Sequence, residues 1–117
     1  MAYHADAVIL WCFDARFSGA LDSLIKKKKL KMADIIKVAG GAKDAGNSYV
    51  LSQIEKSFKL HYPKEVYLMI HEECGAYGGK SYDPKKELAS REKILKSFLK
   101  KKGIRAKIRK VFERLPR

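Results

Sequence analysis

Ala7-Val8-Ile9-Leu10-Trp11-Cys12-Phe13 is the stretch on which the fold turns. An unbroken apolar run of this length suits a strand buried on both faces, the habit of parallel sheets covered by helices. It is too short to span a membrane, which takes about 20 such residues. Asp6 precedes it, Asp14 closes it and no basic region leads into it, so it makes a poor signal peptide. A cytoplasmic, reducing compartment is therefore expected. There the two cysteines read as thiols or metal ligands before they read as a disulfide.

On either side of this strand the pattern alternates. Ser18 is expected to cap a short helix with Leu21, Leu24 and Ile25 on one face, running out into the solvated lysines Lys26 to Lys29. Asp34 to Ala39 reads as a second strand, ended by Gly40-Gly41. Asn47 or Ser48 starts a helix on which Leu51, Ile54 and Phe58 share a face, and Pro63 prevents its continuation. Glu65 to Ile70 is a third strand, followed by the glycine-rich turn Cys74-Gly75-Ala76-Tyr77-Gly78-Gly79. Asp83-Pro84 opens a third helix, lined by Leu88, Ile94, Leu95, Phe98 and Leu99 and closed by Gly103. Ile104 to Phe112 is a last strand, in which Ala106, Ile108 and Lys110 alternate against charged neighbours, as at a sheet edge.

The expected fold is α/β: one three-layer domain over residues 1–117, with a mainly parallel four-stranded sheet. The order is β-α-β-α-β-α-β, with right-handed crossovers and helices on both faces. Ligands of such sheets bind beyond the carboxyl ends of the strands, where strand order reverses. If the first and third strands are neighbours, residues 12–16 and 71–75 meet there.

At 117 residues the chain is too short for a multidomain enzyme, and 46% hydrophobic residues argue against disorder. The net charge of +13 is uneven: 12 basic and 2 acidic residues between Arg91 and Arg117 carry +10 of it. A basic third raises nucleic acid as a partner, but its aromatics are only Phe98 and Phe112, both with a core reading, so base stacking has little support.

The chemistry collects at the two strand ends. Cys12-Phe13-Asp14-Ala15-Arg16 closes the first, and His71-Glu72-Glu73-Cys74-Gly75 closes the third. Two thiolates and an imidazole form a soft donor set suited to Zn²⁺, and three protein ligands leave the fourth tetrahedral position open for water. The metal ligands are therefore expected to be Cys12, His71 and Cys74. Asp14 either accepts a hydrogen bond from the group in the open position or takes that position itself and shuts the site. Arg16 keeps Asp14 ionised and aimed. A buried structural Cys12 would be the simpler reading of that residue alone; both motifs together outweigh it. A phosphatase C-x₅-R loop fails on spacing, because Ser18 and Lys80 stand where arginine is needed.

The C-x-D-x-R of Cys12, Asp14 and Arg16 and the H-x-x-C-G of His71, Cys74 and Gly75 resemble the two signature motifs of the β-class carbonic anhydrases. The resemblance covers about residues 7–80. It implies two cysteines and a histidine on zinc, an aspartate–arginine dyad governing the fourth ligand, and assembly as a homodimer or higher oligomer. The activity it implies is that of a lyase: reversible hydration of CO₂ to bicarbonate by hydroxide that zinc generates near neutral pH. Ala15 stands where the family usually has serine, and Ile70 where it commonly has glycine. Val38-Ala39-Gly40-Gly41 and Lys43-Asp44-Ala45-Gly46-Asn47 are competing candidates for its R-N-A-G-N stretch.

Phe13, Phe17 and Tyr77 are candidates to line an apolar pocket, and His4 and His61 are proton shuttles by residue type alone. Tyr77-Gly78-Gly79 reads as a turn or as a flap over the site. Two other functions are carried beside the anhydrase. One is hydrolysis of COS or CS₂ at the same site; the other is a zinc-stabilised module without turnover that binds nucleic acid through its basic C-terminal third.

Overall fold

A computed structural model describes residues 3–78 and 81–115. Four strands, β1 (Ala7–Cys12), β2 (Ala33–Val38), β3 (Glu65–His71) and β4 (Lys107–Glu113), alternate with helices α1 (Ser18–Lys27), α2 (Ser48–His61) and α3 (Pro84–Lys101). All strand pairs are parallel, and the sheet order is β2-β1-β3-β4. The α/β reading holds, and the sheet is wholly rather than mainly parallel.

Strand alternation sorts the core into two layers. Val8 and Leu10 of β1 and Val66, Leu68 and Ile70 of β3 pack with α2 and α3, through Ile54, Phe58, Leu95 and Leu99. Ala7, Ile9 and Trp11, with Tyr67 and Met69, face α1 through Leu21 and Leu24. Every residue of β1 is buried, as its unbroken apolar run requires. The radius of gyration, 13.6 Å, is what a single domain of this length should have, about 13 Å.

Helix starts follow local chemistry. Asn47, rather than Ser48, caps α2: its side chain accepts from the backbone N–H groups of Tyr49 and Val50, at 2.9 and 3.2 Å. Asp83 does the same for α3, with Pro84 in the first turn. Ser18 does not cap α1. A 3₁₀ turn, Ala15–Phe17, runs directly into that helix, so Ser18 is its first residue and Asp14 caps the turn instead.

The last strand begins three residues later than the alternation suggested, at Lys107 rather than Ile104. Its ladder to β3 opens with Glu65 against Lys107, and nothing before Glu65 extends β3 to pair with residues 104–106. Lys110 lies on the α3 side, its ammonium 3.0 Å from Glu92. The lysines at the end of α1 lie where the helix dipole favours cations. No helix among the described residues is long and apolar enough to cross a membrane.

Asp34, near the start of β2, gathers the N-terminal segment. It accepts hydrogen bonds from Ser57 Oγ at 2.6 Å, His61 Nδ1 at 2.7 Å and the Tyr3 hydroxyl. Burial pushes its carboxyl up, but these hydrogen bonds outweigh burial and hold it below the ordinary carboxylate value. His61 is therefore a structural residue at the amino end of the sheet, far from the strand ends where Cys12 and His71 lie.

Candidate metal centre

β1 and β3 are neighbours, with β2 on one side and β4 on the other, so strand order reverses between them. This is where α/β sheets bind ligands. Cys12 is the last residue of β1 and His71 the last of β3. The chain then turns back through Glu73, at φ 55°, and delivers Cys74 to the same spot. The two sulfurs and a ring nitrogen of Cys12, His71 and Cys74 all lie within 4.8 Å of one another, and all three residues are buried.

The histidine is prepared for this role. His71 Nδ1 is 2.8 Å from the Glu72 carbonyl oxygen, which can only accept, so Nδ1 carries the proton and Nε2 the lone pair. Nε2 is buried and has no hydrogen-bond partner. An orphaned acceptor there costs about 1–3 kcal/mol unless something binds it. Phe17 stacks on the ring, centroids 4.1 Å apart, and the Tyr82 hydroxyl donates to the His71 carbonyl. Phe17 is in turn fixed by Trp11, whose indole N–H donates to its carbonyl oxygen at 3.0 Å.

This donor set fits zinc. Tetrahedral bonds of about 2.3 Å to sulfur and 2.0–2.1 Å to nitrogen place ligand atoms about 3.4–3.8 Å apart, inside the observed limit. Burial pushes the Cys74 thiol up, and the adjacent Cys12 adds to the effect. Without a cation the Cys74 sulfur holds its proton; a metal displaces it. The structure brings together the three expected ligands without fixing which metal they would hold.

Asp14 borders the cluster. Its Oδ2 is 4.0 Å from His71 Nε2. Arg16 grips the carboxylate through Nη2 to Oδ2 at 2.8 Å, Nε to Oδ1 at 3.1 Å and its backbone N–H at 2.9 Å. The Arg16 hydrogen bonds hold the Asp14 carboxyl down at about 2. In this arrangement Asp14 stands outside the ligand group.

Replacing Arg16 with Ala should raise the Asp14 pKa part of the way towards the ordinary value of about 3.9, since the backbone N–H remains. Because the folded value is depressed, the pairing stabilises the protein above the unfolded pKa and is lost as pH falls towards about 2. Carboxyl-carbon NMR titration of the variant reads the shift directly.

A cleft of about 360 Å³ opens onto the centre, lined by Phe13, Asp14, Ala39, Gly40, Gly75 and Ala76 beside the three ligands. Of the aromatic candidates only Phe13 lines it. Phe17 lies behind His71, while Tyr77 stacks on Tyr82 and donates to Glu87. Gly75–Tyr77 forms a 3₁₀ turn ended by Gly78 at φ 67°; Gly79 lies outside the described residues.

Val38-Ala39-Gly40-Gly41, rather than the Lys43–Asn47 stretch, provides a wall of the site. Gly41, at φ 55°, packs so closely that a Cβ would lie 2.4 Å from the Met69 carbonyl oxygen and 3.1 Å from Cys12 N. The Gly40-Gly41 pair was legible as a strand stop, but this close approach was not. Nor did the sequence identify Glu72 O and Tyr82 as the groups that orient His71 and its backbone. Compared with protein-family models and with curated proteins, the chain matches none.

Proposed function

We propose that the chain is a zinc-dependent carbonic anhydrase. The convergence of Cys12, His71 and Cys74 beside an Asp14 clamped by Arg16 carries this reading. The resemblance of both motifs to the β-class enzymes adds to it. Held by these three residues, zinc would act as a Lewis acid that makes water nucleophilic near neutral pH.

The remaining chemistry belongs to the chain. Asp14 Oδ2 accepts a hydrogen bond from the nucleophile and so points its lone pair into the cleft. Arg16 keeps that carboxylate ionised across the working pH range, so it never competes as a donor. Phe13, Ala39 and Ala76 give CO₂ apolar walls, in a space suited to a small substrate. Phe17 and the Glu72 carbonyl lock the His71 ring, which keeps its Nε2 in position without reorganisation. The exposed Phe13 ring at the cleft supports the homodimer or larger assembly that the resemblance implies.

Stopped-flow CO₂ hydration by the purified protein tests the proposal, with COS and CS₂ as comparison substrates. The rate should scale with zinc content, and CO₂ should be turned over fastest. Stoichiometric zinc without hydration between pH 7 and 9 would overturn the anhydrase and leave only a metal centre.

A further inference from the structure

The other pole of the sheet carries a surface that the metal centre leaves unexplained. A groove of about 880 Å³ runs between the end of α2 and the segment before β4. Phe58, Pro63, Ile104 and Ala106 form its apolar part, while Lys59, Lys64, Lys102, Arg105 and Lys107 supply the charge. Glu55 is its only carboxylate, and it lies 3.5 Å from Lys59 and 3.6 Å from Lys102. Lys64, Arg105 and Lys107 have no ion-pair partner among the described residues. An adjoining cleft shares Ile104, Arg105 and Ala106 and adds Lys96 and Lys100, so the cationic track continues past the 103–106 segment.

Tyr62 completes the groove. It ends α2 in the left-handed region, φ 50°, and the residue is 68% exposed. An aromatic residue pays in strain for that conformation, which asparagine or glycine adopts more readily. The folded chain thus supplies from α2 the accessible ring that the basic C-terminal third lacks in sequence.

We propose that this pole binds single-stranded nucleic acid. A cationic groove that follows a phosphate backbone, with an aromatic face on which a base stacks, is the recurring arrangement for strands read without sequence preference. The same face of a second copy is a poor occupant, since this cationic groove would meet its own lysines and arginine. The groove lies at the amino ends of β3 and β4; His71 ends β3 six residues, roughly 20 Å, away. The proposal therefore stands independently of the metal centre.

Fluorescence anisotropy with a labelled 20-nucleotide oligo-dT tests it. Binding should be micromolar at 50 mM salt. With about three to five phosphates neutralised, it should weaken about 20- to 100-fold by 200 mM. At 100 mM salt, Lys64→Glu combined with Arg105→Glu should cost at least about tenfold. The same charge change on the α1 face, Lys27→Glu with Lys28→Glu, should cost much less. Tyr62→Asn suits the local backbone, so the fold should persist by thermal melting while affinity drops about fivefold and the salt slope stays unchanged. Equal losses from the two charge-reversed pairs would overturn the groove in favour of a diffuse field. Unaltered binding by Tyr62→Asn, with polyglutamate bound as tightly as the oligonucleotide, would overturn the nucleic acid in favour of an acidic peptide.

Discussion

Cys12→Ser or Cys74→Ser should each remove zinc and CO₂ hydration together, whereas Asp14→Asn should keep the metal and slow the reaction about 100-fold. The contrast follows from position. Cys12 and Cys74 contribute two of the three clustered donor atoms, and a serine hydroxyl is a far poorer ligand than a thiolate. Losing a group that merely supports a ligand costs about 10- to 100-fold in metal affinity, so losing a ligand should exceed that. Asp14 lies beside the cluster, with its carboxylate held by Arg16 rather than by the ligand atoms. An asparagine there fills the same space but can present an N–H where an acceptor is needed. An interaction of this kind, made at the reacting group, is worth about 10²–10⁴ in rate. Metal analysis and stopped-flow rates on the same samples separate the two outcomes.

Gly41→Ala should cost about 2–5 kcal/mol, measurable as a lowered midpoint in urea unfolding. Two penalties combine: a left-handed backbone for a residue with a Cβ, about 1–2 kcal/mol, and overpacking, about 1–3 kcal/mol. The clash is with backbone, the Met69 carbonyl at 2.4 Å and Cys12 N at 3.1 Å, so no side chain can rotate to relieve it. Relief requires β1 and β3 to shift at the point from which Cys12 and His71 emerge, so metal affinity should fall along with stability. Gly75→Ala is the matching control. A Cβ at Gly75 would meet nothing within 4 Å, and stability should stay within about 0.5 kcal/mol.

The parts of the fold that were legible are those governed by periodicity and caps. An apolar run buried on both faces, helical stripes at Ile54 and Phe58 and at Leu88, Leu95 and Leu99, and a capped proline start at Asp83-Pro84 each carry local information. The candidate ligand trio was legible because Cys12 and His71 close two strands, Cys74 follows in the turn after the second, and the sheet order brings those strands together. What was not legible depends on through-space neighbours. Ser18 looks like a cap, yet Asp14 takes that work because Trp11 draws Phe17 into a preceding 3₁₀ turn. Phe17 reads as a pocket residue, yet it is a platform under His71. Tyr62 carries no signal as part of a basic surface, because it approaches the C-terminal lysines only once folding sets the end of α2 beside residues 102–107.

Zinc K-edge X-ray absorption on protein purified without chelators tests the metal centre most directly. The expected first shell has two sulfurs at about 2.3 Å and one imidazole nitrogen at about 2.0–2.1 Å, completed by one light atom. A protein that carries no zinc, or zinc surrounded by oxygen and nitrogen alone, would contradict a centre built from Cys12, His71 and Cys74.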